Sequence, residues 1–261
     1  MAGPQKRETS TQVAILGGVL LVGSVAVASF LYVSRQKRQA NTPHIVKGLT
    51  WNYQTRMLHP DIQLMQIENF LSETECKHLI DIANKIQFQP SPLAVIDREQ
   101  LRRIDSSHRN SSTCFLPHIH DDRIVDDIEN RVLSILHCDD KYDLEQLQVV
   151  RYKCGEEFKA HHDWFSEEYL KHNSQNRQRR FTFFVYLNDV PPGHGGQTVF
   201  PELDNLTVAP KQGTSLFWEN CDTKCLPHSK SLHQGLPITQ PGTVKYGLNI
   251  WVSFPRNGIR D

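Results

Sequence analysis

Four short runs in the second half of the chain most limit what it can fold into. Leu147–Tyr152, Phe181–Leu187, Gly213–Trp218 and Gly247–Phe254 are rich in β-branched and aromatic residues, and Gly, Pro and Asn separate them. Runs of this length and make-up read as strands. Several short strands joined by such turns build a sandwich or jelly roll. Upstream the period is helical. Ser72-Glu73-Thr74-Glu75 is a capping box, followed at helical spacing by Cys76, Leu79, Ile80 and Ala83. A second helix is expected from about Asp122 to His137, with Ile124, Ile128, Val132, Ile135 and Leu136 on one face. Residues 87–116, between them, read as extended and loop-rich. Helices first and strands after make an α+β domain in which the sheets form the chamber and the helices are scaffold.

The N-terminal part reads differently. Residues 1–12 are a polar tail, and Val13–Val33 then runs 21 residues without a charge. At about 1.5 Å per residue that run matches the roughly 30 Å of a bilayer core. Ala26-Val27-Ala28 fits a small-residue cleavage site, but Phe30-Leu31-Tyr32-Val33 carries the apolar run on, which favours an uncleaved transmembrane signal-anchor. Two basic residues precede the run and three follow, so charge alone leans by one toward a cytoplasmic C-terminal domain. The sequons Asn110-Ser111-Ser112 and Asn205-Leu206-Thr207 suit the opposite side. We expect a single-pass type II protein of the endoplasmic reticulum membrane with its catalytic domain in the lumen. Residues 34–60 are read as a linker, 61–145 as a helical support region and 146–256 as the core.

Composition removes some classes. Lys+Arg and Asp+Glu balance at 29 each, which gives no basis for a nucleic-acid partner. The 6 cysteines include no C-x-x-C pair, which argues against a four-cysteine zinc site. Cys221 and Cys225, separated by three residues, read either as a disulfide in an oxidising compartment or as two free thiols.

The chemistry centres on Tyr152–Asp163. His161 and Asp163 are two apart, so on a strand both point to one side of the sheet, where a ring nitrogen and a carboxylate oxygen converge. A third ligand must come from elsewhere, and His233 is the best candidate. Two histidines and a carboxylate form the facial triad of non-haem Fe(II) oxygenases, with adjacent positions left open. His118-x-His120 with Asp121 and Asp122 is a competing cluster, more simply read as the cap and first turn of the second helix. An oxygenase using an oxo-acid needs a cation for the distal carboxylate. Lys245 is the candidate, with Tyr152 and Thr198 offering hydroxyls.

These residues carry a family resemblance. Tyr152–Phe165 resembles the Y-x-x-G-x-x-(F/Y)-x-x-H-x-D-x-F signature of prolyl 4-hydroxylases. Gly195–Pro201 resembles their G-G-E-T-x-F-P, Phe217-Trp218 their L-F-W strand, and Ser231–Pro237 their S-L-H-x-G-x-P. Asn69–Ser72 with Glu75-Cys76, and Arg109 with Ser111–Leu116, are similar to the family's N-terminal helix and R-T-S-x-x-F-L segment. The resemblance spans roughly residues 62–254. It implies a double-stranded β-helix with Fe(II) on His161, Asp163 and His233. It also implies 2-oxoglutarate as co-substrate, held by Lys245 with Tyr152 and Thr198, and ascorbate as the agent that rescues oxidised iron. The implied reaction is hydroxylation of peptidyl proline with release of succinate and CO₂, on a proline-containing peptide or protein. Arg109, Trp164 and Tyr186 are the expected substrate contacts.

The chain also departs from that pattern. Thr243 occupies the family's usual lysine position and Lys245 comes two later, as an insertion in the Gln240–Gly242 turn would produce. Gln197 replaces a glutamate, and residues 166–178 form a long polar stretch that reads as a lid or substrate loop. Other readings are a hydroxylase of another residue or a small molecule, and a catalytically silent lumenal binding domain. A zinc hydrolase is a further one, with Glu156 or Glu157 as its base.

Overall fold

The computed structural model describes residues 53–91, 108–116, 122–138, 140–172 and 176–256. Val13–Val33 lies outside them, together with His118, His120, Asp121 and most of the expected linker. Among the described residues no helix is long and apolar enough to cross a membrane.

In chain order the elements are β1 (Thr55–His59), β2 (Leu64–Ile67), α1 (Glu73–Ile86), β3 (Gln89–Pro90), β4 (Ser112–Phe115) and α2 (Arg123–Leu136). There follow β5 (Gln148–Tyr152), β6 (Phe158–His161), α3 (Glu167–His172), β7 (Arg177–Tyr186), β8 (Thr198–Phe200), β9 (Leu206–Val208), β10 (Ser215–Glu219), β11 (His233–Gly235) and β12 (Lys245–Pro255). They form an eight-stranded sheet in the order β1-β2-β10-β7-β12-β5-β4-β3 and a four-stranded sheet in the order β6-β11-β8-β9. The described pairings are antiparallel. Two facing sheets of this kind are the jelly roll.

Alternation along the strands explains why the large sheet is buried on both faces. Phe181, Phe183 and Val185 of β7, with Leu248, Ile250 and Val252 of β12, join a core that includes Leu79 of α1 and Ile128 of α2. Phe184 and Tyr186 of β7, with Val150 of β5 and Trp218 of β10, point the other way and meet Phe200 and Val208 of the small sheet. One face therefore holds the helices and the other closes the chamber.

The two helices follow their caps. Ser72 Oγ accepts from the Glu75 backbone N–H at 3.2 Å, and Glu75 Oε2 accepts from the Ser72 N–H at 2.7 Å. Glu75 also receives Arg131 of α2 at 2.6 Å, so one carboxylate caps α1 and ties it to α2. Asp122 caps α2 by accepting from the N–H groups of Ile124 and Val125 at 3.0 and 3.2 Å. This is the structural part that the sequence assigned to it.

Three boundaries move. Thr55–His59, within the expected linker, is an edge strand on β2. The polar stretch 166–178 contains α3 and the first residues of β7, and Arg256 binds Glu167 of α3 through both carboxylate oxygens at 2.6 and 2.9 Å. β7 begins four residues before the apolar run, because charged Arg177 and Arg179 are placed on Asp143 and Glu145 and hide the strand signal.

Gly247 of β12 sits where two inner side chains crowd the backbone. A Cβ there would lie 2.5 Å from the Phe184 ring and 3.3 Å from Val150. Gly247→Ala is therefore expected to destabilise the domain by about 1–3 kcal/mol through overpacking, read as a lower urea midpoint at unchanged slope.

Candidate metal centre

Strand register brings the histidines together. β11 pairs with β6 so that His233 lies directly opposite His161, and the two rings stand 4.2 Å apart between centroids. Asp163 follows two residues past His161. Its Oδ1 is 3.8 Å from His161 Nε2 and its Oδ2 is 3.8 Å from His233 Nε2. One ligand atom from each residue lies within 4.8 Å of the others.

Backbone carbonyls set the ring orientation. His161 Nδ1 faces the Lys159 carbonyl at 2.7 Å and His233 Nδ1 faces the Ser231 carbonyl at 2.9 Å. A carbonyl only accepts, so each Nδ1 carries the proton and each Nε2 presents its lone pair to the shared centre. Burial, and then the neighbouring His233, hold His161 well below the usual imidazole range, which keeps it neutral. Burial alone would raise Asp163, but His233, His161, Arg179 and the hydrogen bond from Thr182 outweigh it and hold the carboxyl at about 2. Two imidazoles and one carboxylate, all on one side, suit a divalent cation with open coordination positions.

The same concavity contains a buried cation. Lys245 opens β12 opposite Tyr152 of β5 and is 2% exposed. Its Nζ donates to the Gly196 carbonyl at 2.7 Å and lies 5.2, 5.3 and 5.5 Å from the ring centres of Tyr152, Phe184 and Tyr186. No acidic side chain among the described residues pairs with it. Burial pushes its ammonium down to about 7. A buried cation of this kind calls for an anion. Gly235 keeps the approach open, since a Cβ there would come within 4.0 Å of both Lys245 Nζ and the Tyr152 hydroxyl. Tyr152 and Thr198 line the same end. The lysine's position follows from the turn before it: the Thr243 N–H donates to the Gln240 carbonyl at 3.2 Å and its hydroxyl faces His194 Nδ1 at 2.7 Å, so Thr243 is turn structure and Lys245 is the first residue inside.

The three expected substrate contacts are placed differently from one another. Arg109 is buried, with its guanidinium 4.4 Å from the Phe158 ring centre and its Nε donating to Ser111 Oγ at 3.1 Å. Phe158 in turn stacks on His161 at 3.4 Å, so Arg109 backs the ligand strand. Trp164 is half-buried beside His162, and its Nε1 is buried without an acceptor. Tyr186 is fully buried and its hydroxyl donates to Thr198 Oγ1 at 2.8 Å. Its inward position on β7 places the Tyr186 ring centre 5.5 Å from Lys245 Nζ, at the lysine end.

Sequence reasoning passed over several groups around the centre. Thr182 Oγ1 donates to Asp163 Oδ2 at 2.8 Å, and Arg179 Nη1 donates to the Asp163 carbonyl at 3.4 Å. Thr182 shares strand parity with Phe184 and Tyr186, and a lone hydroxyl on that apolar face was the available signal. Glu156, offered as a hydrolytic base, closes a turn by accepting the Lys153 N–H at 2.8 Å and is absent from the cavity lining. Cys221 and Cys225 are buried free thiols.

The comparisons with known proteins agree with this geometry. Residues 147–253 match the family described as the 2OG-Fe(II) oxygenase superfamily. The chain is 35% identical over 189 residues to "Probable prolyl 4-hydroxylase 8" of Arabidopsis thaliana, covering 65% of this chain and 62% of that protein. It is 30% identical over 210 residues to "Probable prolyl 4-hydroxylase 3" of the same plant, covering 74% and 69%. The first of these matches thus spans under two thirds of its relative's length. Among solved structures, the viral collagen prolyl hydroxylase of Paramecium Bursaria Chlorella virus-1, in a 2OG complex, is 30% identical with a TM-score of 0.56. That match covers 73% of this chain and 96% of the viral one.

Removing a direct ligand should exceed the roughly 10–100-fold loss that follows removal of an outer partner of a metal ligand. His161→Ala, Asp163→Ala and His233→Ala are each expected to weaken Co(II) binding by more than that, measured by anaerobic titration against the folded wild type.

Proposed function

The chain belongs to the prolyl 4-hydroxylase family, and we propose that it is an Fe(II)- and 2-oxoglutarate-dependent dioxygenase that hydroxylates peptidyl proline. The observation that carries this reading is the sharing of one concavity by a His-Asp-His group and a buried, carboxylate-free lysine. His161, Asp163 and His233 would hold Fe(II). The bound iron, with O₂ and 2-oxoglutarate, supplies the oxidising power, releasing succinate and CO₂. Ascorbate is the expected agent for iron that has become oxidised.

The residues of the chain supply binding, orientation and exclusion of water. Lys245 takes the far carboxylate of 2-oxoglutarate, with the Tyr152 and Thr198 hydroxyls beside it. Phe158, Phe184 and Trp218 line the same concavity, and displacement of water by the bound co-substrate would strengthen every charge interaction inside. Arg109 acts from behind by holding Phe158 against His161. We also place the domain in the endoplasmic reticulum lumen behind Val13–Val33, a reading supported by the uncharged run and the two sequons.

Two outcomes test this function. Anaerobically prepared full-length protein, given Fe(II), 2-oxoglutarate, ascorbate, O₂ and proline-rich peptides, should form succinate in step with a one-oxygen mass gain on proline. Both should vanish in His161→Ala. Succinate without peptide oxidation would move the search to another substrate, and no turnover by folded, iron-loaded protein would end the dioxygenase reading.

Lys245 gives the second. In the free protein it titrates at about 7 because of burial, so it is charged below that pH and neutral above. A bound carboxylate favours the charged form and raises its pKa in the complex. Binding above pH 7 then takes up a proton, and affinity for 2-oxoglutarate should fall as pH rises from 7, by up to about tenfold per unit. Calorimetry in buffers of different ionisation heat would detect the proton, and Lys245→Met should weaken binding and flatten the profile.

A further inference from the structure

Behind Asp163 runs a buried line of polar groups whose direction is fixed. Trp218 Nε1 donates to Asn220 Oδ1 at 2.9 Å, Asn220 Nδ2 donates to Thr182 Oγ1 at 2.8 Å, and Thr182 Oγ1 donates to Asp163 Oδ2 at 2.8 Å. Thr182 and Asn220 are fully buried and Trp218 is 1% exposed. An indole N–H can only donate, so the atom of Asn220 that faces it must be the amide oxygen. The amide nitrogen then faces Thr182 and occupies a lone pair of its hydroxyl. That hydroxyl has one proton, and the ionised carboxylate, which can only accept, takes it. Reversing any bond would leave a buried donor unpaired.

The far end of the line is asymmetric. Each carboxylate oxygen of Asp163 lies 3.8 Å from one ligand nitrogen, Oδ1 from His161 Nε2 and Oδ2 from His233 Nε2, but Oδ2 is tied to Thr182 whereas Oδ1 makes no hydrogen bond among the described residues. The main chain of Asp163 is held separately by Arg179, which is itself fixed by Glu145 at 2.6 and 2.8 Å. The strand side of the relay is equally fixed, since the Asn220 N–H donates to the Arg180 carbonyl at 2.7 Å and its own carbonyl accepts from His228 at 2.9 Å.

We propose that Trp218, Asn220 and Thr182 are positioning residues, a one-way hydrogen-bond relay that pins Asp163 Oδ2 and leaves Oδ1 as the oxygen free to take the metal. The inference rests on the metal-centre reading. Its consequence is ligation through one carboxylate oxygen, which leaves open the positions that a chelating co-substrate and O₂ require. Without the relay the carboxylate is free to turn and to bind through both oxygens.

The test uses full-length protein titrated anaerobically with Co(II), followed by its visible absorption, so that activity is not the readout. Thr182→Val keeps the shape and deletes the donor. It should bind Co(II) about tenfold more weakly, the low end of what loss of an outer partner brings, with changed band intensity. Thr182→Ser keeps the donor and should stay close to wild type in both. Asn220→Leu, one bond further from the metal, should weaken binding in the same direction and serves if Thr182→Val fails to fold by circular dichroism. Wild-type affinity and spectrum in both folded Thr182→Val and Asn220→Leu, with binding lost in Asp163→Ala, would overturn the relay alone. A Thr182→Ser variant as weak as Thr182→Val would also overturn it, because the hydroxyl would not be the operating group. Failure of wild-type protein to bind Co(II) would overturn the metal centre and the relay with it.

Discussion

The pairing of His161 with His233 across β6 and β11 is the constraint on which the rest of the site depends. Antiparallel register places the two residues opposite each other, and the pleat turns both rings to the same side. A slip of one residue on either strand would send one imidazole to the other face. Local interactions guard the register: the Asn110 side chain donates to the Gly155 carbonyl at 3.2 Å and accepts the Glu157 N–H at 2.7 Å, clamping the turn that feeds β6. Asn110 belongs to one of the two sequons, so in this fold its amide already has a structural task.

Around that pairing, the inner face of the large sheet carries polar groups that a plain hydrophobic core would not tolerate. Several are tied into hydrogen-bond networks. Arg179 lies 3.6 Å from the Trp251 ring centre and binds Glu145, which also accepts the Ser253 hydroxyl at 2.6 Å. Asn249 Nδ2 donates to Gln148 Oε1 at 2.9 Å. Satisfied networks of this kind rigidify a site, because every alternative arrangement breaks a buried hydrogen bond. Lys245 differs: among the described residues its hydrogen bond goes to a neutral carbonyl, so its charge is left for a ligand.

Much of this was legible in the residues. The capping box of α1, the cap and span of α2 and the β character of the second half follow from local rules, and the structure places them within a residue or two. The His-x-Asp pair is legible because strand parity makes i and i+2 converge. Other parts are not local. The start of β7 is held by long-range pairing, and its Arg-rich sequence resembles a surface loop until Asp143 and Glu145 are brought against it, while β1 carries no apolar alternation and is held as an edge strand by β2. The place of Tyr186 at the lysine end is not local either, because sequence gives a strand's parity but not which end of the chamber a position faces. The membrane run and its topology fall outside the described residues.

The displaced lysine shows how sequence and fold must be read together. Counting from His233 puts Thr243 where the family's lysine is usual, and spacing alone would assign the cation's role to a residue that cannot carry charge. The fold removes the conflict. The Gln240–Thr243 turn, with Gly242 in the left-handed region at φ +82, absorbs the additional length before β12 begins. Register against β5 then decides, since Lys245 lies opposite Tyr152 and shares parity with Gly247 and Asn249 on the inner face. The quantity preserved is therefore the side chain's place on the sheet, and the number of residues separating it from the distal histidine is free to vary with the turn.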